Sequence, residues 1–284
     1  MTAPSIAVVY FTATDVTGTY ARTIAEELVR LGAAAQLVDV TPFAARQAPL
    51  DLSPYAGVIW GVPTYGDFSP SVLHDWLPAL AGNGQRCALF VTYGGRTPGY
   101  THYHTAALLA QAGFHLVLSG EFLGPHTYNV AGWTALPDRP NANDLATTRE
   151  FAGLALQRLT DPDARRLILQ KPCAYDLSVA DKRKRTKSGE RGMRHPLRDG
   201  GCSMCRRCQT ECPAAAFDAE AGLSDPLKCI ECMHCVFICP DQVLHIGDGM
   251  AAAYPGFLEG WNLTDEMMRA KRSKIIAESW QATF

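Results

Sequence analysis

The sequence predicts an α/β chain in which a doubly wound, five-stranded parallel sheet precedes a small, cysteine-rich α+β module. Three observations carry this prediction. Apolar strand-like runs alternate with helical runs over the first two-thirds of the chain. Eight of the ten cysteines fall between Cys202 and Cys239, in two rows of identical spacing. Between the two regions lies a basic, breaker-rich stretch. The expected organisation is a nucleotide-type α/β domain at 1–165, a linker at 166–199, a cysteine-rich domain at 200–248 and a helical tail at 249–284.

The elements follow in order. "IAVVYF" (Ile6–Phe11) is a continuous apolar run, the mark of a parallel strand buried on both faces. "TYARTIAEELVRLG" places Ile24, Leu28 and Leu31 on one helical face, and Gly32 stops it. "AQLVDV", "GVIWG", "CALFVTYGG" and "FHLVLSG" supply four more strands. "SPSVLHDWLPALAG" predicts a helix with Ser69 as N-cap, Pro70 at its first position, and Val72, Leu73, Trp76, Leu77 and Leu80 inward. "THYHTAALLAQAGF" and "DLATTREFAGLALQRL" predict two further helices. In the tail, one helix is expected from Thr264 to Trp280, with Asp265 and Glu266 complementing its dipole.

Composition narrows the function. The net charge is −2, so whole-chain charge points neither to nucleic acid nor to an anionic membrane. No apolar run approaches the ~20 residues of a membrane span. The start "MTAPSIAVVYF" lacks a basic n-region and a cleavage site, so the cytoplasm is expected. The run "KRKR" in the linker reads as a solvated segment or a dock for an acidic partner. Cys87, in an apolar strand, and Cys173, in the linker, read as structural residues.

The rows "CSMCRRCQTECP" (Cys202–Pro213) and "CIECMHCVFICP" (Cys229–Pro240) are each C-x2-C-x2-C-x3-C-P. Zinc sites generally use two pairs separated by a longer loop. Three close thiolates cap one face of an iron–sulfur cubane, and a fourth ligand must come from elsewhere. The segment from Gly201 to about Gly247 resembles a two-cluster bacterial ferredoxin, in which each row's last cysteine ligates the other cluster. The resemblance implies one 4Fe–4S cluster on Cys202, Cys205, Cys208 and Cys239. It implies a second on Cys229, Cys232, Cys235 and Cys212.

In an open α/β sheet, ligands bind where the strand order reverses, at the carboxyl ends of the strands. Three loops reach that edge. "FTATDVTGT" joins a strand to a helix N-terminus, and Thr12, Thr14 and Thr17 add hydroxyls to exposed backbone N–H groups, an arrangement suited to phosphate. "GVPTYGDFSP" offers Tyr65 in a glycine-flanked turn, and "TYGGRTPGYTHYH" offers Tyr93 and Tyr100 beside Gly94 and Gly95. A phosphate loop with two aromatic loops suits FMN.

At these residues the chain resembles flavodoxins. "TATDVT" (Thr12–Thr17) matches the family's phosphate loop, Ser/Thr-x-Thr-Gly-x-Thr, and "PTYGD" its Thr-Trp-Gly-Asp loop. The whole chain resembles the flavodoxin–ferredoxin fusion family of iron–sulfur flavoproteins: a flavodoxin-like sheet followed by a bacterial-ferredoxin-like module. That resemblance implies an FMN site at Thr12, Ala13, Thr14, Asp15, Val16, Thr17, Pro63, Thr64, Tyr65, Gly66, Thr92, Tyr93, Gly94, Gly95 and Tyr100. Asp15 departs from the family's glycine. A carboxylate about 4 Å from one phosphate charge costs roughly 4 kcal/mol at an effective dielectric near 20. FMN binding therefore requires Asp15 to turn outward; the alternative is a cofactor-free flavodoxin-like scaffold.

The expected function is electron transfer between one-electron carriers, two clusters and FMN, with a ferredoxin or a downstream reductase as partner. The alternative is an FMN-dependent reductase of a small organic substrate, suggested by Tyr100, His102, Tyr103, His104, His126 and Tyr128. Arg206, Arg207 and Lys228, beside the cluster ligands, would attract an acidic redox partner.

Overall fold

The computed structural model describes residues 3–176, 178 and 192–280. Five parallel strands form the main sheet: β1 (Ser5–Tyr10), β2 (Ala34–Asp39), β3 (Gly57–Pro63), β4 (Arg86–Tyr93) and β5 (His115–Leu123). Their spatial order is β5-β4-β3-β1-β2, the flavodoxin-like order with its switch point between β1 and β3. The helices are α1 (Val16–Arg30), α2 (Thr101–Gln111) and α3 (Ala142–Thr160).

Alternation along the strands builds a core on each face. Ile6, Val8, Ile59, Ala88 and Phe90 pack toward α1 and α3, against Tyr20, Ile24, Leu28, Phe151 and Leu159. Ala7, Val9, Val58, Trp60, Leu89 and Val91 pack toward the other face, with Leu108 and Leu109 of α2. Cys87 is fully buried there as an apolar side chain, while Cys173 is exposed. Asn141 and Asp144 close the start of α3 as a reciprocal capping box.

Three expectations are corrected. The segment after β3 is not one helix but two 3-10 turns, Ser71–Leu73 and Leu77–Ala79. Pro78 lacks a donor and crowds the preceding turn, so a continuous helix does not form. Leu73 and Leu77 still face inward. Leu31 is not on the buried face of α1; it caps the helix and is exposed.

The tail is not one helix from Thr264 to Trp280. A helix spans Gly249–Gly260, and Thr264 caps a short one at Asp265–Arg269. Lys274–Ile276 then runs antiparallel along β5, pairing Ile275 with Gly120. The chain thus adds a sixth strand to the five-stranded sheet and covers an otherwise open edge. Ser279–Trp280 pairs with Ile168–Leu169.

The cysteine-rich module has four two-residue strands, in the order Leu244–His245, Leu197–Arg198, Leu223–Ser224 and Phe217–Asp218. Two short helices, Arg207–Thr210 and His234–Ile238, carry cysteines of each row. The basic run "KRKR" lies outside the described residues.

Candidate functional site

The two rows fold alike. Met204 and Arg206 in the first row, and Glu231 and Met233 in the second, all adopt positive φ, between 55° and 61°. Each such residue turns the backbone between successive cysteines, so that the thiols converge. Backbone N–H groups then point at sulfur: Met204 N donates to Cys202 Sγ at 3.3 Å, Glu231 N to Cys229 Sγ at 3.4 Å, and Ala216 N to Cys212 Sγ at 3.2 Å. Such donors orient the thiolates and offset their charge.

Two cavities result. One is lined by Cys202, Cys205, Cys208 and Cys239. The other is lined by Cys212, Cys229, Cys232 and Cys235. Each takes three thiols from one row and the fourth from the other, and four thiols are the donor set of a cubane.

The two cages differ in depth. Cys205 is exposed and Cys202, Cys208 and Cys239 are half-buried, whereas Cys212, Cys232 and Cys235 are buried. Burial pushes the Cys232 thiol up to about 12 and raises Cys235 well above its ordinary value. Burial also raises Cys208 and Cys229. Iron–sulfur assembly must therefore displace protons from these thiols.

The second cage sits on the sheet's carboxyl edge. Ile230 and Cys232 join the apolar cluster of Phe11, Ala13 and Val62. Met233, 1% exposed, joins the cluster that holds Tyr93 and Leu123 at the ends of β4 and β5. His234 Nδ1 donates to the Ala13 carbonyl at 2.7 Å. Arg46 donates to the carbonyls of Val40, Thr41 and Pro213, tying the two domains together.

Asp15 adopts φ 60°, ψ 3°, the left-handed conformation that a glycine supplies at no cost. Its carboxylate turns to Arg22, with contacts of 3.0 and 2.6 Å. The hydroxyls of Thr12 and Thr17 are engaged within the protein: Gly18 N donates to Thr12 Oγ1 at 3.1 Å, and Thr17 and Thr92 share a 2.8 Å bond. Ala13 is buried; Thr14 and Val16 are half-buried.

The other two loops are packed closed. Pro63 ends β3, and Thr64 shares a 2.9 Å bond with Thr101. Tyr65 packs edge-on to Phe11, in the apolar cluster that also takes Ile230 and Cys232. Burial and the nearby Cys232 sulfur raise its hydroxyl pKa well above the ordinary value. Gly66 adopts φ +54° at the turn. Behind Gly94 stands His126, whose Cα would lie 2.8 Å from an added Cβ; behind Gly95 stands Met268, whose Sδ would lie at 2.9 Å.

The aromatic and histidine group does not line an open site. Tyr100, His102 and His104 are buried; His104 Nδ1 bonds to Tyr175 at 2.7 Å, and Ser178 donates to Tyr100 at 2.9 Å. His126 stacks on Trp133, and burial beside Arg96 lowers it to about 4. The cations beside the cluster ligands are also spoken for: Arg206 pairs with Glu220, Arg207 with Glu211 and Lys228 with Asp225. Sequence reasoning missed Arg22, Arg46, Met233 and His234. Only Arg22 left a trace, two helical turns beyond Asp15.

The cysteine cages suit two 4Fe–4S clusters. An FMN with its phosphate at Thr12–Thr17 would meet Tyr65 and the docked second row at its ring end.

Residues 196–240 match the family model of a 4Fe-4S dicluster domain. A 48-residue stretch is 40% identical to a component of the ion-translocating oxidoreductase complex of Methanosarcina acetivorans, covering 16% of this chain and 18% of that protein. The chain thus matches about a fifth of that relative's length. Among solved structures, a flavodoxin from Archaea aligns with 55% of this chain and 99% of its own, at 16% identity and TM-score 0.42. Flavodoxin 1 of Bacillus cereus aligns with 54% and 97%, at 17% identity and TM-score 0.43. The flavodiiron core of Flv1 from Synechocystis shares 21% identity and TM-score 0.41, with 36% of its own chain covered. These structural likenesses are too distant to carry function; the strand order defines the fold.

The chain joins a flavodoxin-like sheet to a 4Fe–4S ferredoxin-type domain, and this arrangement belongs to electron-transfer redox proteins. Such domains work with electron-transfer partners. Among the described residues, no helix is long and apolar enough to cross a membrane.

Proposed function

We propose that the protein relays single electrons through two 4Fe–4S clusters. One is held by Cys202, Cys205, Cys208 and Cys239, the other by Cys212, Cys229, Cys232 and Cys235. The observation that carries this reading is the crossing of the rows: each cavity draws three thiols from one row and one from the other. The first cluster lies at the surface and meets a redox protein such as a ferredoxin or a downstream reductase. Met204, 37% exposed and lining the first cavity, gives that contact an apolar component. The second cluster lies against the sheet edge. FMN would take its phosphate at Thr12–Thr17, and the docked second row covers its ring end. A reducing cytoplasm suits a chain with eight ligand thiols.

The test is anaerobic. The purified protein should carry about eight irons per chain, two cubanes' worth. With reduced ferredoxin as donor, both clusters should reduce in stopped flow. In Cys205→Ser, reduction of the second cluster should slow sharply. Equally fast reduction of the second cluster without an intact first would sink the relay.

A further inference from the structure

We propose that the docked second cysteine row and the ring of FMN are alternative occupants of the same sheet edge. Three contacts argue for this. First, Tyr65, in the loop after β3, packs edge-on to Phe11 in the same apolar cluster as Ile230 and Cys232. A flat cofactor whose phosphate rests at Thr12–Thr17 needs this space for its ring. Second, residues 230–234 cover the same edge. Ile230 and Cys232 pack with Phe11 and Ala13, and Met233 joins the cluster of Tyr93 and Leu123. Third, His234 fastens the row to the phosphate loop itself, through the Ala13 carbonyl.

Asp15 raises no such conflict at the phosphate end. Asp15 turns its carboxylate away to Arg22 and leaves the loop in the conformation that a glycine would give it. The obstacle to FMN is therefore steric and lies at the ring end. It is supplied by the chain's own ferredoxin-type module, not by Asp15. This inference rests on the docked arrangement and not on the electron relay, which is tested separately by iron content and cluster reduction.

The experiment uses the full chain, reconstituted with iron and sulfide under argon. FMN is titrated and its fluorescence quenching followed, with riboflavin in a parallel arm. Hydrogen exchange of residues 230–236 is measured with and without FMN. The proteins compared are the wild type, Tyr65→Gly and His234→Ala. His234 is not a cluster ligand, and unchanged iron content and visible spectra confirm that each variant keeps its clusters. FMN and riboflavin should each bind the two variants at least about tenfold more tightly than the wild type. Any FMN bound by the wild type should raise exchange in residues 230–236. Two results would overturn the proposal. One is stoichiometric FMN on the wild type with exchange in 230–236 unchanged. The other is equal failure of wild type and both variants to bind FMN, which would mean that docking is not what keeps the ring out.

Discussion

Single residues decide how the cages and the loop are built. The crossed ligand sets make a sharp expectation for two substitutions. Cys212→Ala should remove the cluster of the second row and spare that of the first; Cys239→Ala should do the reverse. Anaerobic EPR of the reduced variants, with iron counts, distinguishes the two. Loss of the first-row cluster in Cys212→Ala would reject the crossing. Asp15 teaches a different lesson. The Asp15–Arg22 pair is part-exposed on both sides, so it contributes at most about 1 kcal/mol. Glycine at φ 60° removes a backbone cost of a similar size. Asp15→Gly should therefore shift urea stability by less than about 1 kcal/mol in either direction.

His126 adds a pH dependence at this same scale. Burial lowers its folded pKa to about 4, below the ordinary value of 6.5. Between those values the unfolded chain binds the proton and the folded chain does not. The stabilising effect of the neutral ring is thus complete above pH 6.5 and is lost as the pH falls toward 4. The wild type should lose up to about 3 kcal/mol over that window relative to His126→Gln. Anaerobic urea melts at pH 7 and pH 5 give the difference. An identical pH slope in both proteins would show that His126 does not titrate in this way.

At the scale of elements, the edge strand Lys274–Ile276 has the largest consequence. It pairs with β5, and Ile276 is 5% exposed in the core. Ile276→Ala should cost about 2–4 kcal/mol, since it leaves a cavity where a buried side chain stood. A change below about 0.5 kcal/mol, the range of surface substitutions, would mean that the strand does not hold in solution. The two 3-10 turns after β3 show the converse case. Their apolar positions were right for a helix, and the inward residues are indeed inward. Pro78 shortened the backbone path without changing which face it buries.

At the scale of the whole molecule, Arg46 joins the two domains. It is 8% exposed and donates to carbonyls on either side of the interface. Burial lowers its pKa, so its charge persists there only because these oxygens surround it. Arg46→Ala should leave several carbonyls unpaired and destabilise the chain by about 2–4 kcal/mol. Arg46→Lys should not rescue it, because a single ammonium does not reproduce the fork. Anaerobic denaturation, followed by both cluster absorbance and far-UV circular dichroism, reads the effect. Full rescue by lysine would show that only charge matters at this position.

The sequence by itself determined the five parallel strands, the helices that flank them and the two cysteine rows. These are local signals: an apolar run is buried whatever it meets, and thiols two residues apart converge through one turn of backbone. The tertiary structure decided the rest. "SKII" carries no local mark that it will pair with β5, because pairing depends on a partner more than 150 residues away in the chain. The contact of His234 with Ala13 spans 221 residues. Whether the flavin edge is open or covered is likewise a property of two domains meeting, and no spacing within either one encodes it.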